Sequence, residues 1–185
     1  ITIPVGQTTA DSAPFTVRAD DAYAQGTQTL NVTATATNGG NFETVTRIGT
    51  ATTTVTDDAD ATTVTITAST ANVAEGGSIT YTASVNNAVT GTPLAITLSN
   101  GQVITIPVGQ SSATGAAFAV RADDAYAQGT QTLNVGISSI SGGNYEALTT
   151  TSTASTTVTD DADATTVTIS TATAIPRAAS LMGTN

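Results

Sequence analysis

The chain repeats itself at long range, and this limits its fold more than any other feature. The segment Val17–Val32, VRADDAYAQGTQTLNV, returns unchanged at Val120–Val135. ITIPVGQ at Ile1–Gln7 returns at Ile104–Gln110, and TTVTDDADATTVTI at Thr53–Ile66 returns at Thr156–Ile169. Each pair of copies is offset by 103 residues without a gap. A period of that length matches one β-sandwich domain and far exceeds the unit of a solenoid. The expected organisation is the C-terminal half of one repeat at 1–60, a complete repeat at 61–163, and the start of a further repeat with a divergent tail at 164–185. The whole then reads as a segment of a longer array. Half a sandwich leaves its core face open, so 1–60 is not expected to be stable alone. Neighbouring domains of one sequence can exchange strands and misfold. Retaining such identity points to a need for length rather than for several distinct binding sites.

Thr supplies 43 of the 185 residues. Together with Val and Ile, it favours the pleated backbone of strands. Within the complete repeat, strands are expected at Thr63–Ala68, a short edge at Val73–Glu75, Ser78–Val85, Leu94–Leu98, Val103–Val108, Ala117–Val120, Thr132–Ile140 and about Ala147–Val158. Asn100-Gly101 is a hairpin turn signal. Pro107 places its strand at an edge. No helical period appears. The fold class is all-β: tandem immunoglobulin-like β-sandwich repeats of about seven strands each.

Composition removes several functions. There is no Cys, His or Trp, and aromatics are 4%. Disulfides, thiol nucleophiles, imidazole metal sites and Ser-His-Asp triads are therefore excluded. The net charge is −10, with four Arg and no Lys. Such a chain repels phosphate backbones and anionic membranes, so no nucleic acid and no direct membrane insertion are expected. No apolar stretch approaches 18 residues, and no signal peptide is visible at the start.

The acids are clustered. All but Asp11 fall in Asp20-Asp21, Glu43, Asp57-Asp58-x-Asp60, Glu75, Asp123-Asp124, Glu146 and Asp160-Asp161-x-Asp163. Strand parity sorts them in space. With the first strand of the complete repeat running down, Glu75, the pair Asp123 and Asp124, and the run Asp160, Asp161 and Asp163 all reach the bottom pole. In the first copy Asp20, Asp21, Asp57, Asp58 and Asp60 take the equivalent places. Asn144 and Glu146 fall at the opposite pole, near Asp57, Asp58 and Asp60. Six carboxylates at one pole repel unless neutralised, and the nearest basic residue is Arg121. A hard cation with oxygen ligands, Ca²⁺ above Mg²⁺, is the expected partner. Solvated turn acids are the plain alternative, since Asp is common in turns. The DDAD run lacks the Gly and the final Glu of an EF-hand.

The segment Val73–Val85 (VAEGGSITYTASV), RADDAYAQGT and VTDDADATTVT resemble the extender repeats of large RTX adhesins, which Gram-negative bacteria secrete by type I systems and use to tether cells in biofilms. The arrangement is also similar to Calx-β domains. That resemblance implies calcium at Glu75, Asp123, Asp124, Asp160, Asp161 and Asp163, and in the first copy at Asp20, Asp21, Asp57, Asp58 and Asp60. It also implies an extracellular, cell-surface location. At the same offset Ala178 stands where Glu75 would predict an acid.

The function expected is mechanical: a spacer, stiffened by calcium at its domain junctions, that carries an adhesive tip away from the cell. Its partners are neighbouring repeats of the same chain, with other copies in a fibre as an alternative assembly. A carbohydrate-binding module would need exposed aromatics, and only Tyr23/Tyr126, Phe42/Tyr145 and Tyr81 are on offer. Tyr126 is expected to pack at a corner of its own domain. Ice binding would need short repeats in register, and a 103-residue period gives none. Catalysis is not expected, because the acids recur at junctions rather than in a pocket.

Overall fold

The computed structural model describes residues 1–171. The expectations for 172–185, including Ala178, lie outside the described residues. The described chain forms thirteen β-strands and no helix. In the first segment, β1 (Gln28–Val32) and β2 (Ala51–Val55) pair antiparallel.

The remaining strands belong to the region expected as the complete repeat. In order they are β3 (Ala61–Ala68), β4 (Asn72–Ala74), β5 (Ser78–Ile79), β6 (Tyr81–Val85), β7 (Leu94–Leu98), β8 (Val103–Ile106), β9 (Ser112–Thr114), β10 (Phe118–Ala119), β11 (Gln131–Ser141), β12 (Ala147–Thr150) and β13 (Thr153–Thr159). One sheet has the order β4-β13-β11-β7-β8, a second β12-β3-β6-β9, and β10 pairs with β5.

Alternation along the strands builds the core. In β3, Val64 and Ile66 are buried while Thr63, Thr65 and Thr67 face out. The same period runs through β6, β7 and β8. Val64, Ile66, Ala83 and Val85 of one sheet join Leu94, Ile96, Leu98, Ile104, Ile106 and Val135 of the other in a single buried cluster. Outward Thr residues pair across strands, as in Thr65 with Ser84 and Thr82 with Thr114. Such pairs hold a sheet surface where apolar side chains would be exposed.

Strand β8 lies at a sheet edge and ends at Ile106, one residue before Pro107. A residue without an N–H cannot extend the ladder. Three expectations need correction. The segment expected as one strand over Ala147–Val158 is two strands: β12 runs parallel to β3 in one sheet, and β13 lies against β11 in the other. Ser152 makes this switch possible. Its Oγ accepts the Ile66 N–H (2.9 Å) and donates to the Ile66 carbonyl (3.0 Å), covering the backbone where β12 leaves β3. The Ser78–Val85 segment is broken at Thr80, whose N–H and carbonyl bond to Ser69. Strand β9 has no counterpart in the sequence expectation.

Copies of one sequence differ where their surroundings differ. Ile104 and Ile106 are 2% and 0% exposed, whereas Ile1 and Ile3 are 86% and 55% exposed. Ala164–Ile169 repeats the sequence of Ala61–Ile66 but forms no strand. By contrast, β1 and β2 pair as β11 and β13 do, with Gln28 opposite Val55 and Gln131 opposite Val158.

Candidate metal centre

Three segments meet at one pole of the two-sheet unit through their backbones. The Glu75 N–H bonds the Thr159 carbonyl (3.0 Å), and the Gly76 N–H bonds the Arg121 carbonyl (2.9 Å). Gly76 has φ +72°, and a Cβ there would stand 2.8 Å from the Asp123 Cβ. Only glycine allows this turn to approach the Asp123 loop so closely.

The approach gathers carboxylates. Glu75, Asp123 and Asp161 each place an oxygen within 4.8 Å of the others. The Glu75 side chain is fully buried. Its Oε2 accepts from Arg121 Nε at 2.8 Å. Its Oε1 is buried with no hydrogen-bond partner among the described residues. A buried charge normally has its oxygens satisfied, so this lone pair marks a place for a further positive group.

The other expected site residues have different surroundings. Asp160 spans two duties: Oδ1 accepts from Arg121 Nη2 at 3.1 Å, and Oδ2 accepts the N–H groups of Gln128 (2.8 Å) and Gly129 (3.3 Å). Those bonds, the Gln128 N–H foremost, hold its carboxyl below the ordinary aspartate range, with the Arg121 guanidinium adding to the effect. Asp124 folds its own loop, accepting the Tyr126 N–H (2.8 Å) and the Gln128 side chain. Asp163 does not join the group around Glu75.

A second cluster lies where the first segment meets the opposite pole of the same unit. Asp20, Asp58 and Asp60 bring their oxygens within 4.8 Å of one another. The Asp58 carboxyl, and behind it Asp60, pushes the Asp20 carboxyl above the ordinary range. Asp57 repeats the part of Asp160, bound by Arg18 (2.7 Å) and by the N–H groups of Gln25 (2.7 Å) and Gly26 (3.1 Å). Its carboxyl is likewise held down, chiefly by the Gln25 N–H. Asp21 repeats Asp124.

Glu146 comes in from the following unit, as expected from strand parity, and its Oε2 accepts the Asp60 N–H at 2.6 Å. That bond favours its charged form. Desolvation and the charges of Asp57 and Asp60 outweigh it and raise the carboxyl above its usual value.

Arg18 and Arg121 bind acids at the two clusters, and the acid count alone does not find them, although the sequence marks Arg121 as the nearest basic residue. Their signal lies in the repeat, because each Arg stands two residues before its Asp pair. The Tyr126 expectation is also overturned. Tyr126 is 77% exposed and packs at no corner. Its twin Tyr23 packs on the neighbouring unit instead, against Tyr145. Tyr81 is a core residue at 1% exposure.

The centre offers only hard oxygen donors. Carboxylates from three loops can hold an oxygen-seeking cation, and no thiolate or imidazole is at hand for softer metals. No helix among the described residues is long and apolar enough to cross a membrane. Sheets and clusters together define an all-β protein whose domain poles are acidic. A family model for the LapA domain matches residues 60–162, more than half of the chain, and the chain belongs to that family. LapA is a large biofilm-associated adhesin, so this is an adhesin-related, surface-associated type of protein. No curated protein matches the chain.

Proposed function

We propose that the chain is a structural extender of a bacterial surface adhesin: tandem immunoglobulin-like repeats with a period of 103 residues, stiffened by Ca²⁺ at their junctions. The observation that carries this reading is Glu75 Oε1, buried and without a partner among the described residues, in a cluster with the carboxylates of Asp123 and Asp161. Glu75, Asp123 and Asp161 would hold one cation, and Asp20, Asp58 and Asp60 another. Asp163 would join when a following unit orders it, as Glu146 holds the backbone of Asp60. Asp57, Asp160, Asp21 and Asp124 shape the loops around these sites.

Without metal the like charges at a junction repel, and the array bends. With metal the three carboxylates of a pole share one ion, and the junction built on that pole stiffens. Extracellular calcium modules bind with Kd of about 10⁻⁴–10⁻³ M. A chain of this kind is therefore loaded outside the cell and empty in the cytosol. Because binding free energy is also folding free energy, export and folding become linked.

Isothermal titration with Ca²⁺ tests the assignment. The chain should bind calcium with the affinity of an extracellular module. Glu75→Gln and Asp161→Asn should each remove one site and leave the cluster at Asp20 working. Absence of calcium binding at millimolar concentration overturns the reading.

A further inference from the structure

We propose that the exposed Tyr126 loop is a docking face for the leading pole of a following repeat, held by stacked tyrosines and backbone hydrogen bonds rather than by metal. This rests on the tandem-array reading above. It adds to that reading a second, metal-independent contact at every junction.

The first segment shows the dock completed. Tyr23 stacks on Tyr145 with ring centroids 5.7 Å apart. The Tyr23 hydroxyl donates to the Ala88 carbonyl (2.7 Å), and the Tyr145 hydroxyl donates beside it to the Asn87 carbonyl (2.9 Å). Backbone bonds close around the pair. The Ala24 N–H donates to the Asn144 carbonyl (3.1 Å), and the Glu146 N–H donates to the Ala22 carbonyl (3.3 Å). Both partners are thus specified: a loop carrying Ala22, Tyr23 and Ala24, and a receiving pole carrying Ala88 and Tyr145.

The second copy of the loop is built in the same way. Tyr126 N–H bonds to Asp124 as Tyr23 N–H bonds to Asp21, both at 2.8 Å. The N–H groups of Gln128 and Gly129 bond to Asp160 as those of Gln25 and Gly26 bond to Asp57. The loop is therefore shaped before any partner arrives, and little ordering cost remains for docking. Tyr126 nevertheless stands 77% exposed, while Tyr23 is half-buried. One sequence and one loop geometry, with one ring covered and the other open, identify the missing occupant as another receiving pole. Amphipathic tyrosines suit the role, since the ring covers apolar area while the hydroxyl keeps a partner.

Nitration by tetranitromethane, mapped by peptide mass spectrometry, reads the dock. Two proteins are compared: the chain as it is, and residues 1–163 continued in register by a further copy of 61–163. In the chain as it is, Tyr126 should react well ahead of Tyr23. In the continued chain the ratio of the two rates should fall to near one. Replacing Tyr145 by Ala in the added copy alone should restore the fast reaction at Tyr126. If the added copy unfolds cooperatively in calorimetry and Tyr126 still reacts fast, the dock is wrong and the array stands. If the added copy does not fold, the array reading fails and the dock with it. Equal rates for Tyr23 and Tyr126 in the original chain overturn the dock at its source.

Discussion

Arg121 Nε donates to Glu75 Oε2 over 2.8 Å, and the other oxygen of the same buried carboxylate has no donor among the described residues. A guanidinium thus neutralises half of the site and orients the rest. In the proposed calcium site the arginine would keep the loops together until a cation adds its charge.

Removing that arginine should expose the dependence on calcium. Arg121→Gln leaves a buried Glu75 charge unpaired, which costs roughly 3 kcal/mol. Urea denaturation in excess chelator should show that loss. In millimolar CaCl₂ most of it should vanish, because the bound ion supplies the missing positive charge. A loss of the same size in both buffers would mean that Arg121 acts without reference to metal.

Identical residues should differ in worth according to their copy. Ile104 is 2% exposed between the two sheets, and Ile1 is 86% exposed. Ile104→Ala should cost about 2–5 kcal/mol, as buried large-to-small changes do. Ile1→Ala should change stability by less than about 0.5 kcal/mol, in the range of surface substitutions. Denaturant midpoints of the two variants settle the comparison.

Acid should loosen the junction loops through Asp57 and Asp160. Both carboxyls are held below the ordinary aspartate value, first by backbone N–H groups. A lowered carboxyl binds its proton less readily in the fold than in the unfolded chain. Its stabilisation is therefore complete above the ordinary value and is lost as the pH falls through the lowered one. In chelator, melting temperature should drop as the pH goes below about 4. Asp160→Asn should flatten that drop. An equally steep profile in the variant would contradict the assignment.

Much of the architecture was legible because its signals are periodic. Alternation marked β7 at Leu94–Leu98 with its bounds intact, and Pro107 marked an edge. Strand parity places six acids at one pole, and three of them, Glu75, Asp123 and Asp161, come within reach of one another there, while Asp124, Asp160 and Asp163 do not join them. The sheet switch at Thr151 and Ser152 was hidden, because a single serine hydroxyl replacing a ladder bond has no periodic trace. The roles of Asp124 and Asp160 as loop acceptors were hidden for a similar reason. Adjacent acids look alike in sequence, and only the turn geometry decides which one faces the Gln128 backbone. Tyr126 misled because a tyrosine near an Asp pair fits a corner as well as a dock. The covered state of Tyr23 separates the two.

The central claim is that a cation held by Asp20, Asp58 and Asp60, where Glu146 closes on the Asp60 backbone, stiffens the boundary between the first segment and the following unit. The chain has no cysteine, so two introduced ones are free of background. Thr29 and Thr105 are exposed, one on each side of that boundary. Spin labels on Thr29→Cys and Thr105→Cys report the distance distribution by double electron–electron resonance. A narrow distribution in millimolar CaCl₂ that broadens in chelator is the predicted result. A width that does not respond to calcium would contradict the account.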